Sequence, residues 1–271
     1  MRDFTSLNPT PGSIAITWLG QAGYLFTTSK TRLLLDAYVS PLAARAYDGP
    51  APAAAFSFVD VVACTHEHLD HLDPDLWATL GTDPAATHLR FVAPRAIAAK
   101  VRALGIADAR VSWATPGTAI TLPGVTLHAI EAVHGVSMTD AYTSGKDANG
   151  DPRFLGYVLD FDGLRVYHAG DTLIYPGLLD AVKAYAPHVV LLPINGRDAY
   201  REARGIVGNM SFREAARFAA DLAPKLAIPF HYDLFSGNTE QPGRFVDELY
   251  AFAPGVSCMI MGRFATITVC P

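Results

Sequence analysis

Residues 65–71 read Thr65-His66-Glu67-His68-Leu69-Asp70-His71, placing four metal-ligand types, His66, His68, Asp70 and His71, within six positions. They follow directly on Val59-Asp60-Val61-Val62-Ala63-Cys64, an apolar run that reads as a buried strand. A helix cannot bring positions i, i+2, i+4 and i+5 to one point, whereas a loop leaving a strand end can curl all four side chains inward. Neutral imidazole and carboxylate are donors that Zn²⁺ and Mn²⁺ accept. The stretch is not H-E-x-x-H, because Asp70 stands where the second His would be needed, so a helical zincin site is excluded.

Four donors are more than one open catalytic ion takes, since such ions use about three protein ligands and a water. Two ions would use them better if the rest of the chain supplied more. His134 in E-A-V-H-G, Asp171 in H-A-G-D-T and His231 in I-P-F-H-Y-D each stand where a strand-like segment ends. One sheet edge can present them all.

H-x-H-x-D-H followed in order by His, G-D-T and P-x-H-Y resembles the metallo-β-lactamase superfamily of hydrolases. The blocks W-L-G-Q-A-G at 18–23, T-H-E-H-L-D-H-L-D-P at 65–74, H-A-G-D-T at 168–172, R-G-I-V-G-N-M-S at 204–211 and I-P-F-H-Y-D-L-F at 228–235 are similar to the branch that includes L-ascorbate-6-phosphate lactonase. The resemblance runs in order along nearly the whole chain. It implies an α+β fold, the αββα four-layer sandwich with two facing mixed sheets and the site along one edge. It also implies two divalent ions per chain, Zn²⁺ or Mn²⁺. His66, His68 and His134 would hold the first, Asp70, His71 and His231 the second, with Asp171 between them. A hydroxide shared by the ions would attack a lactone or related ester of a small, anionic metabolite. Asp70 would orient that nucleophile or pass its proton, so Asp70 and Asp171 are the expected catalytic carboxylates. At His134 the chain departs from the ascorbate-phosphate lactonase pattern, which carries an acidic residue there, and takes the imidazole of the wider superfamily.

Two alternatives stay open within the same fold: a phosphodiesterase and an iron-dependent oxidoreductase. Flavodiiron-type members generally place a Glu at the position of His68, so His68 favours hydrolysis. No G-x-S-x-G motif offers a serine nucleophile.

Further residues are expected around the centre. Asp36, at the end of Arg32-Leu33-Leu34-Leu35, can accept the second N–H of a ligand histidine, although a turn-forming Asp reads equally well. His168 precedes Asp171 by three positions and is read as a support to the site rather than a core histidine. Arg204, in the arginine-bearing segment 195–204, is expected to hold the substrate anion. Asn209 and Tyr232 are expected near substrate. Ser211 reads first as a helix N-cap, in a capping box with Glu214. Glu67 and Leu69 should point away from the ions, and His88, His128 and His188 read as structural.

The composition agrees with a small-molecule enzyme. Among 271 residues, 26 acidic against 21 Lys and Arg give a formal charge of −5, which argues against nucleic acid as partner. Three scattered cysteines, Cys64, Cys258 and Cys270, fit thiols in a reducing compartment. The N-terminus lacks the apolar core of a signal peptide, and no apolar run reaches the ~18 residues of a membrane span. A cytoplasmic protein is expected, with no membrane partner, and the resemblance hints at a homo-oligomer.

No composition break marks a linker, so residues 1–271 read as one domain. Strands are expected at 14–19, 24–27 and 32–35, a helix from Pro74, another over 94–104, and strands over 109–133. Turn residues dominate 135–152, the expected mobile segment. Strands then return at 154–161, 164–168, 188–192 and 225–230, with helices near 176–185, 211–222 and 240–251.

Overall fold

A computed structural model describes residues 4–135, 145–196, 198–204 and 208–271. Two seven-stranded sheets face each other. The first holds β1 (Ile14–Gly20), β2 (Gly23–Thr27), β3 (Arg32–Leu35), β4 (Val61–Ala63), β5 (Arg90–Pro94) and β6 (Val111–Ala114), neighbours in that order. The second holds β7 (Ala119–Leu122), β8 (Val125–Glu131), β9 (Leu155–Phe161), β10 (Leu164–His168), β11 (Val189–Pro193), β12 (Leu226–Phe230) and β13 (Ser257–Cys258). The last strand, β14 (Thr266–Val269), returns to the first sheet outside β1. Each sheet is mixed: antiparallel as far as β3 or β10, parallel beyond it.

Side-chain alternation builds the layers. In β3, Leu33 and Leu35 enter the core between the sheets while Leu34 points outward; in β4, Val61 and Ala63 point in and Val62 points out. Both faces are covered, so these strands read as unbroken apolar runs rather than alternating ones. Across the middle, Phe26 meets Phe161 at 5.9 Å between ring centres. Outside the first sheet lie α1 (Pro74–Thr82) and α2 (Ala98–Ala103), which bury Leu76, Trp77, Leu80 and Val101. Outside the second lie α3 (Leu178–Lys183), α5 (Phe212–Leu222) and α6 (Pro242–Phe252), with the short α4 (Ala199–Glu202) between α3 and α5. This is the four-layer sandwich expected from the sequence. None of the described helices is long and apolar enough to cross a membrane.

Local chemistry sets the element ends. Asp73 caps α1 by accepting the amides of Asp75 and Leu76, with Pro74 in the first turn. Its carboxylate also takes the amides of Val39 and Ser40, tying down the loop after β3. Ser211 and Glu214 form the expected capping box of α5. Three strands escape the sequence reading: β5, whose Pro94 suggests the start of a helix, and β13 and β14, short edge strands fixed by their neighbours. The expected helix over 94–104 is shorter, a 3₁₀ turn at Arg95–Ile97 leading into α2. Of the segment expected to be mobile, 136–144 lie outside the described residues.

Candidate metal centre

Every expected ligand stands just past the C-terminal end of a strand. The loop after β4 carries His66, His68, Asp70 and His71; His134 follows β8, Asp171 follows β10 and His231 follows β12. In open α/β sheets this edge is where ligands bind, because chain turns leave a crevice there. Three groups of ligand atoms assemble, each within 4.8 Å: His66, His68 and His134; His66, His71 and Asp171; and Asp70, His71 and His231. Asp171 lies between the imidazoles, with Oδ1 3.4 Å from His71 Nε2 and Oδ2 3.2 Å from His231 Nε2 and 3.5 Å from His134 Nε2.

The donor set passes a chemical test for cations. His71 Nε2 and Asp171 Oδ1 are buried, face each other and have no hydrogen-bond partner. Such atoms are costly unless an ion satisfies them. The remote ring nitrogens are held. His71 Nδ1 lies 2.8 Å from Asp36 Oδ2, and His134 Nδ1 donates to the Gly208 carbonyl at 2.8 Å. Both contacts leave Nε2 turned to the centre. Gly208 has φ 141°, and a Cβ there would stand 2.4 Å from His134 Nδ1, so only glycine lets this contact form.

Asp36 is the keystone of the motif loop. Besides His71 it accepts the Thr65 amide at 2.7 Å and the Thr65 hydroxyl at 2.6 Å, fully buried. His168 is buried away from the ligand groups: its Nε2–H donates to the Ala22 carbonyl at 2.9 Å and its Nδ1 accepts the Gly170 amide at 3.1 Å. It therefore joins the two sheets and shapes the turn that presents Asp171.

Charge is divided across the centre. Burial, helped by neighbouring imidazoles, lowers His66 well below the usual histidine range and His68 to about 4; burial also lowers His134. These three are neutral at pH 7, ready to bind through a lone pair. Burial would also lower His71 and His231, but nearby carboxylates override it. Asp171, Asp36 and Asp70 raise His71, and Asp171 with Asp70 raises His231 to about 9. The Asp70 and Asp171 carboxylates, which burial alone would raise, are held below their usual range by those imidazoles. An ion must displace the protons on His71 and His231, so uptake at pH 7 is expected to release about two protons per chain. Apparent affinity is then expected to rise with pH as the His71 and His231 imidazoliums lose their protons. Calorimetry in buffers of different ionisation heat measures the release; none would refute this charge assignment.

Beside the centre opens a cavity of about 290 Å³, lined by His68, Asp70, Asp171, Asn195, Asn209 and Asn238 among others. Asn209 lines this cavity. Arg204 does not: it is exposed, and its guanidinium lies over the Tyr200 ring at 3.5 Å and donates to the Tyr200 carbonyl. The structure therefore places Arg204 outside the cavity wall, where the anion contact was expected. Tyr232 packs tilted against Trp18, 5.4 Å between ring centres, in the core and does not line the cavity, a second departure from expectation. Arg197 lies outside the described residues. Glu67 turns away toward Lys100 and Arg153 as expected, but Leu69 forms part of the cavity wall.

Sequence reasoning missed several partners. Gln21, buried at φ 51°, donates through Nε2 to Asp70 Oδ2 at 2.8 Å, and its carbonyl accepts the His231 amide. Its signal was the W-L-G-Q-A-G block, read as family pattern rather than as a contact. Phe154 packs against the rings of His66 and His134, each at 5.2 Å. Asn195 and Asn238 gave no signal, being ordinary loop residues in sequence.

Comparison with known proteins shows the family and the fold. The family described as Beta-lactamase superfamily domain matches residues 31–232. A UPF0173 metal-dependent hydrolase of Herpetosiphon aurantiacus is 31% identical over 242 residues, covering 86% of this chain and 89% of that one. A metallo hydrolase from the archaeon Ignicoccus hospitalis has a similar structure, with TM-score 0.72 at 21% identity over 95% of this chain and 98% of that one. So does an isothiocyanate hydrolase from Delia radicum gut bacteria, with TM-score 0.72 at 18% identity over 93% and 98%.

Proposed function

We propose, for a chain that belongs to the beta-lactamase superfamily and is a metal-dependent hydrolase, that it opens a lactone or a related ester of a small metabolite at a two-ion centre. The observation that carries this reading is the place of Asp171. Its two oxygens reach toward imidazoles of both flanking groups, and the cavity opens on the same side chains.

His66, His68 and His134 would hold one ion, Asp70, His71 and His231 the other, and Asp171 both. Two ions so held would bring a shared water toward ionisation at neutral pH and stabilise charge on the substrate oxygen. The chain's own residues do the rest. Asp36 and the Gly208 carbonyl fix the ring nitrogens facing away from the centre. Gln21 holds Asp70 Oδ2, which leaves the other Asp70 oxygen to take a proton and return it to the departing alkoxide. Leu69 and Phe235 supply apolar wall, limiting water at the reacting carbonyl.

Elemental analysis of protein purified without chelator or added metal, run beside a lactone assay, tests the proposal. About two Zn or Mn per chain with lactone turnover is the expected result. Mostly iron with O₂ consumption would replace it with the oxidoreductase. Turnover of bis(p-nitrophenyl) phosphate but not of lactones would replace it with the phosphodiesterase.

A further inference from the structure

Besides the ligand-type residues, the polar side chains of the cavity wall among the described residues are three carboxamides. They form one hydrogen-bonded chain. Asn209 Nδ2 donates to Asn195 Oδ1 at 2.9 Å, Asn195 Nδ2 donates to Asn238 Oδ1 at 3.0 Å, and Arg201 Nε donates to that same Asn238 oxygen at 3.3 Å. Arg201 is buried, 6% exposed, and its other nitrogens are engaged by Asp198 and the Thr239 carbonyl, with Glu240 at 3.7 Å.

A carboxamide can be turned end for end without changing shape, but a guanidinium can only donate. Arg201 therefore forces Asn238 to present oxygen. Asn195 must then offer its NH₂ to Asn238 and its oxygen to Asn209, which must donate in turn. The direction of the whole chain is set by one arginine. It ends on Asn209 Oδ1, a buried acceptor that has no hydrogen-bond partner. This carboxamide side of the wall is polar yet uncharged. No Lys or Arg lines the cavity among the described residues, and the charge of Arg201 is matched by Asp198 and Glu240.

We propose that this polarised carboxamide wall is the specificity element of the site, and that it selects substrates carrying an uncharged hydrogen-bond donor, a hydroxyl or amide, beside the scissile ester. A donor satisfies the acceptor at the end of the chain. A carboxylate or phosphate would set acceptor against acceptor, with no Lys or Arg among the described lining residues to offset it. Arg201 is a positioning residue here, acting through Asn238. The proposal rests on the lactone and ester reading above.

The probes are γ-butyrolactone, α-hydroxy-γ-butyrolactone and α-carboxy-γ-butyrolactone, offered to the metal-loaded full chain. Dissociation constants are read by ligand-observed NMR over times short against turnover, with kcat/KM alongside. The hydroxy-lactone is expected to bind about tenfold more tightly than the bare lactone, and the carboxy-lactone more weakly than either. Asn209→Leu should narrow the hydroxy preference to within about threefold. Asn238→Ala, at a half-buried loop position, should narrow it in the same direction by freeing Asn195 to turn over. Equal binding of all three lactones by the wild type, tightest binding of the carboxy-lactone, or an unchanged preference in both variants would each overturn the proposal. A hydroxy preference that persists without turnover of any lactone would support the wall and reject the hydrolytic reading instead.

Discussion

Replacing His66 and His68 together by alanine is expected to lower hydrolytic turnover by on the order of 10⁴-fold, equivalent to about 5 kcal/mol of transition-state stabilisation. Bound metal should fall to no more than one ion per chain. His66 belongs to two of the three ligand groups, and its ring lies 3.9 Å from that of His71 and 4.5 Å from that of His68. Without these rings the first group keeps only His134, while Asp70, His71 and His231 remain as a group. Elemental analysis and turnover should therefore fall together. A variant with full activity, or with turnover lost but metal unchanged, would sink the proposed division of ligands between two ions.

The second large effect is on folding. Asp36→Ala removes the acceptor for the Thr65 amide, the Thr65 hydroxyl and the His71 ring in one step, at a fully buried position. It also leaves alanine at φ 49°, where a β-carbon is strained. Stranding buried donors in this way costs about 3–5 kcal/mol. In a chain of this size that lowers the melting temperature by on the order of 10 °C. Asp36→Asn separates the contributions. Asparagine tolerates the left-handed backbone and still accepts from Thr65, so most stability should remain. Its single oxygen stays with the Thr65 amide, so its NH₂ replaces the oxygen that faced His71 Nδ1, a donor set against a ring N–H, and metal affinity should drop by about 10- to 100-fold. A melting point for Asp36→Ala within a degree or two of wild type would refute the keystone role.

The ligands were legible because the chain writes them locally: four in one loop, the rest at the ends of apolar runs. The layers were legible for a similar reason, since strands covered on both faces leave long apolar stretches that are hard to read otherwise. What escaped depends on contacts between distant segments. Gln21 matters because its amide meets Asp70, and Asn195 and Asn238 matter because Arg201 reaches them; none of these residue types is unusual where it stands. Arg204 misled for the opposite reason. It sits in a family-like block, but the Tyr200 ring beside it in α4 captures its guanidinium. Tyr232 follows a ligand, yet successive residues past a strand point to opposite sides, and its ring goes to Trp18.

Each of the three ligand groups draws two members from the loop after β4 and the third from the second sheet. Neither sheet alone can complete any of them. A bound ion would thus be a removable clasp between segments far apart in the chain, stabilising only the docked state that it binds. Bound metal would not template either half during folding, because each candidate group comes into being only when the halves dock. It would lock an assembly that the apolar core makes, and a chelator is expected to unfasten the mouth of the sandwich while leaving its layers packed.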